Sequence, residues 1–139
     1  MRTTMRGRVV SKGIAEGEAL VTKEAISFLA GVNPDTGKVV EYGHELEGKC
    51  VTGKVLVFAG GKGSTGGSWT ILRMSDQKTA PAAMINVETE PIVAIGAILG
   101  KIPLVDKLNR NPTVFIKTGD HVKVDADRGR IEILRKALE

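Results

Sequence analysis

Cysteine and histidine are almost missing from this 139-residue chain. Cys50 stands alone, so no internal disulfide can form, and its only soft-ligand companions, His44 and His121, lie far from each other in sequence. Such a set cannot build a tetrahedral zinc site or hold an iron–sulfur cluster. Any metal chemistry must be borrowed from a partner. Aromatic residues are scarce too: three Phe, one Trp and one Tyr. The formal charge is +4, from twenty Lys and Arg against sixteen Asp and Glu, but the basic residues form no run. Nucleic-acid binders combine a basic stripe with stacking aromatics, so nucleic acid is set aside as a partner. No apolar run approaches the about 20 residues that cross a bilayer. The basic start, Met1-Arg2-Thr3-Thr4-Met5-Arg6, leads into no apolar signal core. A soluble protein of a reducing cytoplasm, without a membrane partner, is expected. Repeats, low-complexity tracts and linkers are absent as well, and the length suits one hydrophobic core. A single domain spanning 1–139 is therefore expected.

Glycine is what the chain has in quantity, seventeen residues in all, and the densest run is KVLVFAGGKGSTGGS at 54–68. Its apolar first half stops at Gly60 and Gly61, which reads as a buried strand ending in a tight turn. The following Trp69-Thr70-Ile71-Leu72-Arg73-Met74 carries apolar residues at helical spacing, so the turn opens into a helix. Strand, glycine turn and helix N-terminus together favour anions, because backbone N–H groups lack partners there and the helix dipole is positive. Glycines alone account for a tight turn. They do not account for Ser64, Thr65 and Ser68 beside Lys62, hydroxyls and a cation that suit binding or catalysis. Arg73 is a further candidate anion ligand, set against its reading as a solvated surface arginine.

Around this centre, 6–11 (RGRVVS) and 18–22 (EALVT) are β-type and are predicted to pair antiparallel across the KGIAEG turn. The stretch 25–53 is loop-rich, with a strong turn at Asn33-Pro34-Asp35-Thr36-Gly37. His44 reads there as an ordinary polar loop residue and Cys50 as a small packing residue. PAAMINVET (81–89) is predicted as a second buried strand, completing a parallel βαβ unit. Thr89-Glu90-Pro91 then predicts a helix start with a capping hydroxyl, followed by a buried apolar helix, IVAIGAILG. Ile102-Pro103-Leu104-Val105 is a candidate third strand. The C-terminal TVFIKTGDHVKVDADRGRIEIL (113–134) alternates with period two around turns at 118–120 and 127–129, and is predicted to be antiparallel β.

Two nucleotide motifs compete for the glycine turn. Gly61-Lys62-Gly63-Ser64-Thr65-Gly66 matches G-x-G-x-x-G, with Glu88 about 22 residues beyond Gly66 as the ribose-binding acid of a dinucleotide site. Against it, a dinucleotide fold needs two βαβαβ halves, and both ends of this chain read as antiparallel. The phosphate-loop NTPase pattern fails, because Leu56 stands where its first glycine is required. A stand-alone nucleotide- or anion-binding module remains an alternative.

Residues GRVVSKGIAEGEAL (7–20), SFLAGVNPDTG (27–37), GKVLVFAGGKGSTGGS (53–68), APAAMINVETEPIVAIGAILGKIPLVD (80–106) and GDHVKVDADRGRIEI (119–133) together resemble the swivel-domain family of aconitase X, over nearly the whole chain and in the family's order. The glycine-serine signature is the most specific part. This resemblance implies an α/β fold, a three-layer β/β/α swivelling domain with a small parallel βαβ layer and an antiparallel β layer. It implies a large partner subunit carrying a [4Fe-4S] cluster, no cofactor or metal on this chain, and a phosphorylated hydroxy-acid substrate. In archaea the implied reaction removes water from (R)-5-phosphomevalonate to give trans-anhydromevalonate 5-phosphate, on a route to isoprenoids; bacterial relatives act on other hydroxy acids of the hydroxyproline type. Carried over by the Gly63-Ser64 match, Ser64 is the implied proton acceptor, with Lys62, Gly63, Thr65 and Gly66 around the substrate. Lys62 stands where arginine is common in the family and Thr65 where serine is common, so residue 62 offers a point charge rather than a bidentate fork.

Overall fold

In a computed structural model, which describes residues 3–138, the chain runs β1 (Thr3–Arg6), β2 (Arg8–Ser11), β3 (Ile14–Val21), α1 (Phe28–Gly31), β4 (Val55–Phe58), α2 (Gly67–Asp76), β5 (Ala83–Asn86), α3 (Pro91–Gly100), β6 (Leu104–Asp106), α4 (Pro112–Phe115), β7 (His121–Asp125) and β8 (Arg130–Arg135). Met1, Arg2 and Glu139, which the expected 1–139 domain and the basic N-terminal segment include, lie outside the described residues. The strands hydrogen-bond in the order β1-β8-β7-β3-β4-β5-β6-β2. β3 to β6 are parallel and follow chain order across the sheet, while β1, β8, β7 and β3 pair antiparallel. β3 belongs to both halves: residues 14–18 pair with β7 and residues 19–21 with β4.

Alternation along the parallel strands divides the core in two. Leu56, Phe58, Met84 and Leu104 face Ile71, Met74, Val93, Ala97 and Phe28 on the helices, all buried. Val55, Val57, Ala83, Ile85 and Val105 face Met5, Val122, Val124, Ile131 and Ile133 of the antiparallel strands. Successive right-handed crossovers that advance in one direction put their helices on one face, which leaves the other to the β layer. The result is the expected α/β architecture in three layers, β/β/α. Strands buried on both faces read as continuous apolar runs, as Val55–Phe58 does and as Ala83–Ile85 does before the buried Asn86.

Several expectations for individual segments are corrected. β2 and β3 do not pair with each other: β2 lies antiparallel on β6 at one edge of the sheet, and residues 14–17 belong to β3 instead of a turn. Beside the β2–β6 ladder, Arg8 ties this edge strand to β6: its Nε and Nη2 donate to the two oxygens of buried Asp106 at 2.9 and 2.8 Å. Residues 112–115 form the helical turn α4, because Asn111 accepts from Thr113 N–H at 3.0 Å and Pro112 occupies the first helical position. α3 is capped by the Glu90 carboxylate, which accepts from Ile92 and Val93 N–H at 3.0 and 2.7 Å. Thr89 does not cap it; its N–H goes to Asp106 and its hydroxyl to Asn86. Nor is α3 buried all round. Val93, Gly96, Ala97 and Gly100 face inward, while Ile95, Ile98 and Leu99 are about half exposed because no layer lies beyond them.

The topology also removes the dinucleotide reading of G-x-G-x-x-G. A dinucleotide crevice forms where strand order reverses, and β3-β4-β5-β6 advances across the sheet without reversal. Glu88 is paired loosely with Lys107, at 3.7 Å.

Candidate active site

The glycine turn leaves the carboxyl end of β4, the edge of a parallel sheet where α/β proteins place their ligands. Backbone bonds hold it to the segment before α1. Ile26 N–H donates to Gly60 O at 3.0 Å and Lys62 N–H to Ile26 O at 3.1 Å. The chain then rises over Ser27: Gly63 has φ +94, and a Cβ at that position would lie 2.7 Å from the Ser27 hydroxyl oxygen. Only glycine meets both demands. Lys62, Gly63, Ser64 and Thr65 are exposed and Gly66 is half-buried. The five residues thus form one solvent-facing turn.

Within the turn the helix N-terminus is used differently from expectation. The first N–H groups of α2 are occupied locally: Gly67 N–H donates to Ser64 O at 3.0 Å and Ser68 N–H to Thr65 O at 3.3 Å. The cap residue Gly66 has no side chain to contribute, and its own N–H donates to Ser64 Oγ at 3.3 Å. Among the described residues the N–H groups of Gly63, Ser64 and Thr65 have no hydrogen-bond partner. The unpaired donors of this site are therefore those of the turn itself, three consecutive backbone amides of the kind that can meet an anion. Ser68 drops out, because it is buried and its hydroxyl donates to Ile92 O at 2.7 Å, tying α2 to α3.

Lys62 is not a free cation. Its Nζ lies 2.8 Å from Glu41 Oε2, in a pair whose side chains are 48% and 27% exposed. Arg73 is also paired, to Asp35 at 2.9 Å, with both side chains well exposed. It sits on α2 against the 33–37 turn as a surface arginine. His44 is buried, and both ring nitrogens are engaged: Nδ1 accepts from Leu46 N–H and Nε2 faces Ala25 O, each at 3.0 Å. Nδ1 as acceptor fixes the Nε2–H tautomer, so His44 is a structural clasp on the loop. Cys50 is exposed and does not pack in the core as expected. Its thiol pKa is lowered, chiefly by the hydrogen bond with Thr52 Oγ1 at 3.3 Å.

Two residues of this neighbourhood carried no signal in the sequence. Ser27 lies under Gly63, and Glu41 lies beside Lys62 although the two are 21 positions apart. Neither belongs to the glycine-serine signature, and only folding of the 26–41 segment onto the turn brings them in. Among the described residues no group of three His, Cys, Asp or Glu side chains could hold a metal ion, and no helix is long and apolar enough to cross a membrane.

Comparison with known proteins identifies the family. The family model described as the aconitase X swivel domain matches residues 4–133. The phosphomevalonate dehydratase small subunit of Methanosarcina mazei is 53% identical over 94% of this chain and 91% of its own length. That of Methanocella arvoryzae is 55% identical over 93% and 98%. The crystal structure of Thermococcus kodakaraensis aconitase X in its holo-form superposes with a TM-score of 0.91 at 44% identity, covering 96% of this chain and 99% of that one. From its β/β/α layers to its glycine turn, this chain belongs to the aconitase X swivel-domain family.

Proposed function

We propose that this chain is the small subunit of a heteromeric hydro-lyase that dehydrates (R)-5-phosphomevalonate to trans-anhydromevalonate 5-phosphate, acting as one swivel domain in the cytoplasm. The relatives' shared name supports the subunit role, and their identities of 43–55% extend over most of this chain. The observation that carries the chemistry is the setting of Ser64. Its hydroxyl is exposed and Oγ receives the Gly66 N–H at 3.3 Å, which favours the oxyanion form of a proton acceptor.

Ser64, as its alkoxide, takes the proton from the carbon beside the hydroxyl-bearing carbon and becomes the neutral hydroxyl. The C–H electron pair becomes the new double bond, and hydroxide departs on the opposite side, toward the large subunit. Free N–H groups of Gly63, Ser64 and Thr65, with the Lys62 ammonium, receive substrate anions or the developing negative charge. Each such donor contributes about 1–3 kcal/mol in a closed, water-poor site. Gly66 donates to Oγ and so belongs to the base itself. The donors of this chain do not fit an iron–sulfur cluster, since the one thiol is exposed beside Thr52 and Thr36 and the ring nitrogens of His44 are occupied. In this reading the [4Fe-4S] cluster belongs to the large subunit, which completes the site.

Anaerobic mixing with the large subunit tests the assignment. Water loss from phosphomevalonate is expected from the mixture and not from either subunit alone. Turnover of a hydroxyproline-type substrate in place of phosphomevalonate would reassign the substrate within the family. Saturable binding of NAD or ATP by the isolated chain, with no turnover in the mixture, would overturn the subunit reading in favour of a binding module.

A further inference from the structure

Glu41 presents an oddity that the fold does not require. Its Oε2 bonds Lys62 Nζ at 2.8 Å, while Oε1 is buried and has no hydrogen-bond partner. A buried carboxylate oxygen without a partner is costly, and native proteins tolerate such groups where they serve another purpose. A surface glutamate would turn that oxygen into water. Glu41 is kept from doing so by its mounting: Val40 and Glu41 N–H both donate to Gly31 O, at 2.8 and 3.3 Å. Gly31 has no side chain, and a Cβ there would stand 3.1 Å from Oε1. The carboxylate thus packs tightly against residue 31, and a side chain there would press on it.

The same short segment carries the catalytic turn. Lys62 N–H is held by Ile26 O, and Gly63 lies against Ser27. Residues 26–31 therefore fix both the backbone of Lys62 and the carboxylate that receives its ammonium. Lys62 has four rotatable side-chain bonds, and an exposed lysine would spread its charge over a wide volume. With its backbone bonded to Ile26 and its ammonium to Glu41, the side chain is restrained at both ends.

We propose that Glu41 is the positioning residue for Lys62, holding its ammonium at the mouth of the glycine turn where the substrate's negative charge arrives. This rests on the functional reading above in taking the turn as half of the active site. Ordinary exposed ion pairs contribute little, because water and salt screen them. Here closure of the partner subunit removes water around a pair already half-buried, which strengthens its Coulomb attraction and its hold on the geometry.

The test is a double-mutant cycle in the assembled complex, using Glu41→Gln, Lys62→Met and the double variant. Glu41→Gln keeps the shape and removes the charge. It is expected to lower kcat/KM by about ten- to a hundredfold, the upper end being what a 1 Å misplacement of a positioned group costs. The double variant is expected to be no worse than Lys62→Met alone. Losses that multiply, or a Glu41→Gln complex at the full rate, would overturn the proposal. Ser64→Ala in the same series reports separately on the functional reading, because full activity there removes Ser64 and leaves the Glu41–Lys62 coupling measurable. A readout free of turnover is the rate at which an amine-acylating reagent labels Lys62 in the isolated chain, followed by mass spectrometry. Labelling is expected to speed up severalfold in Glu41→Gln, and an unchanged rate would contradict the pairing. Should Glu41→Gln fail to fold, Glu41→Asp withdraws the carboxylate while keeping its charge, and the same two readouts apply.

Discussion

A single hydroxyl, Ser64, carries the proposed chemistry, and its neighbours determine whether it can. Gly63 sets the direction of the turn with φ +94, and the Ser27 hydroxyl occupies the volume where a Cβ would sit. Gly63→Ala meets both obstacles. It is predicted to destabilise the chain by about 1–3 kcal/mol, the usual cost of forcing a side chain into left-handed backbone. Because Ser64 follows directly, turnover of the assembled complex is predicted to fall further than stability explains. Urea unfolding and a rate measurement on the same preparation separate the two effects. The Lys62 ammonium has the converse dependence. Its position relies on Glu41, a residue no nearer in sequence than 21 positions, so a motif search around the glycines finds the lysine and misses its anchor.

Among the elements, the two helices that flank the site differ in how they begin. α2 starts at Gly66 without a side-chain cap, and Ser64 and Thr65 satisfy its first N–H groups through their carbonyl oxygens. α3 starts at Glu90, whose carboxylate accepts two N–H groups. Glu90→Ala is predicted to cost about 1–2 kcal/mol, seen as a lower urea midpoint. Asn111→Ala, which uncaps α4, is predicted to cost about 1 kcal/mol by the same measurement. These elements differ in how far local sequence specifies them. β4, the turn and α2 were legible because apolar run, glycines and helical spacing are local signals. The pairing of β2 was not, since period-two alternation marks a strand without naming its neighbour. Here contacts remote in sequence hold it, among them the β2–β6 ladder and a bidentate ion pair from Arg8 to Asp106, 98 positions away. α4 was read as strand because four residues are too short for a helical period, although Asn111-Pro112 announces a helix start. For α3, continuous hydrophobicity suggested full burial, and only the layer order shows that Ile95, Ile98 and Leu99 lie on an uncovered face.

For the whole molecule, buried carboxylates link the layers and make stability depend on pH. Asp106 joins β6 to β2 and to the loop before α3; Asp120 accepts from Lys117 N–H, Ala137 N–H and Lys136 Nζ at 2.9, 2.7 and 3.0 Å. Burial opposes charge on both. For Asp106 the Arg8 guanidinium and the Thr89 N–H outweigh it, and for Asp120 the Lys117 and Ala137 N–H groups with Lys136 do, so both titrate below the ordinary carboxylate value. A depressed folded-state pKa stabilises the protein fully above the unfolded value of about 3.9, and the contribution disappears as pH falls through the lower folded value. Urea midpoints are therefore predicted to hold from neutral pH down to mildly acidic conditions and to drop below about pH 4. Asp106→Asn is predicted to lose about 1–2 kcal/mol at neutral pH and to show a shallower acid decline than the parent chain. These layers present the glycine turn to solvent without closing it, and a large subunit completes the proposed site. The most direct measurement is the anaerobic rate of phosphomevalonate dehydration by the complex assembled with Ser64→Ala, beside the parent complex at equal subunit occupancy. The account predicts a fall of at least about a hundredfold with assembly intact, the scale of losing a positioned proton acceptor. A Ser64→Ala complex that turns over at the parent rate would contradict it.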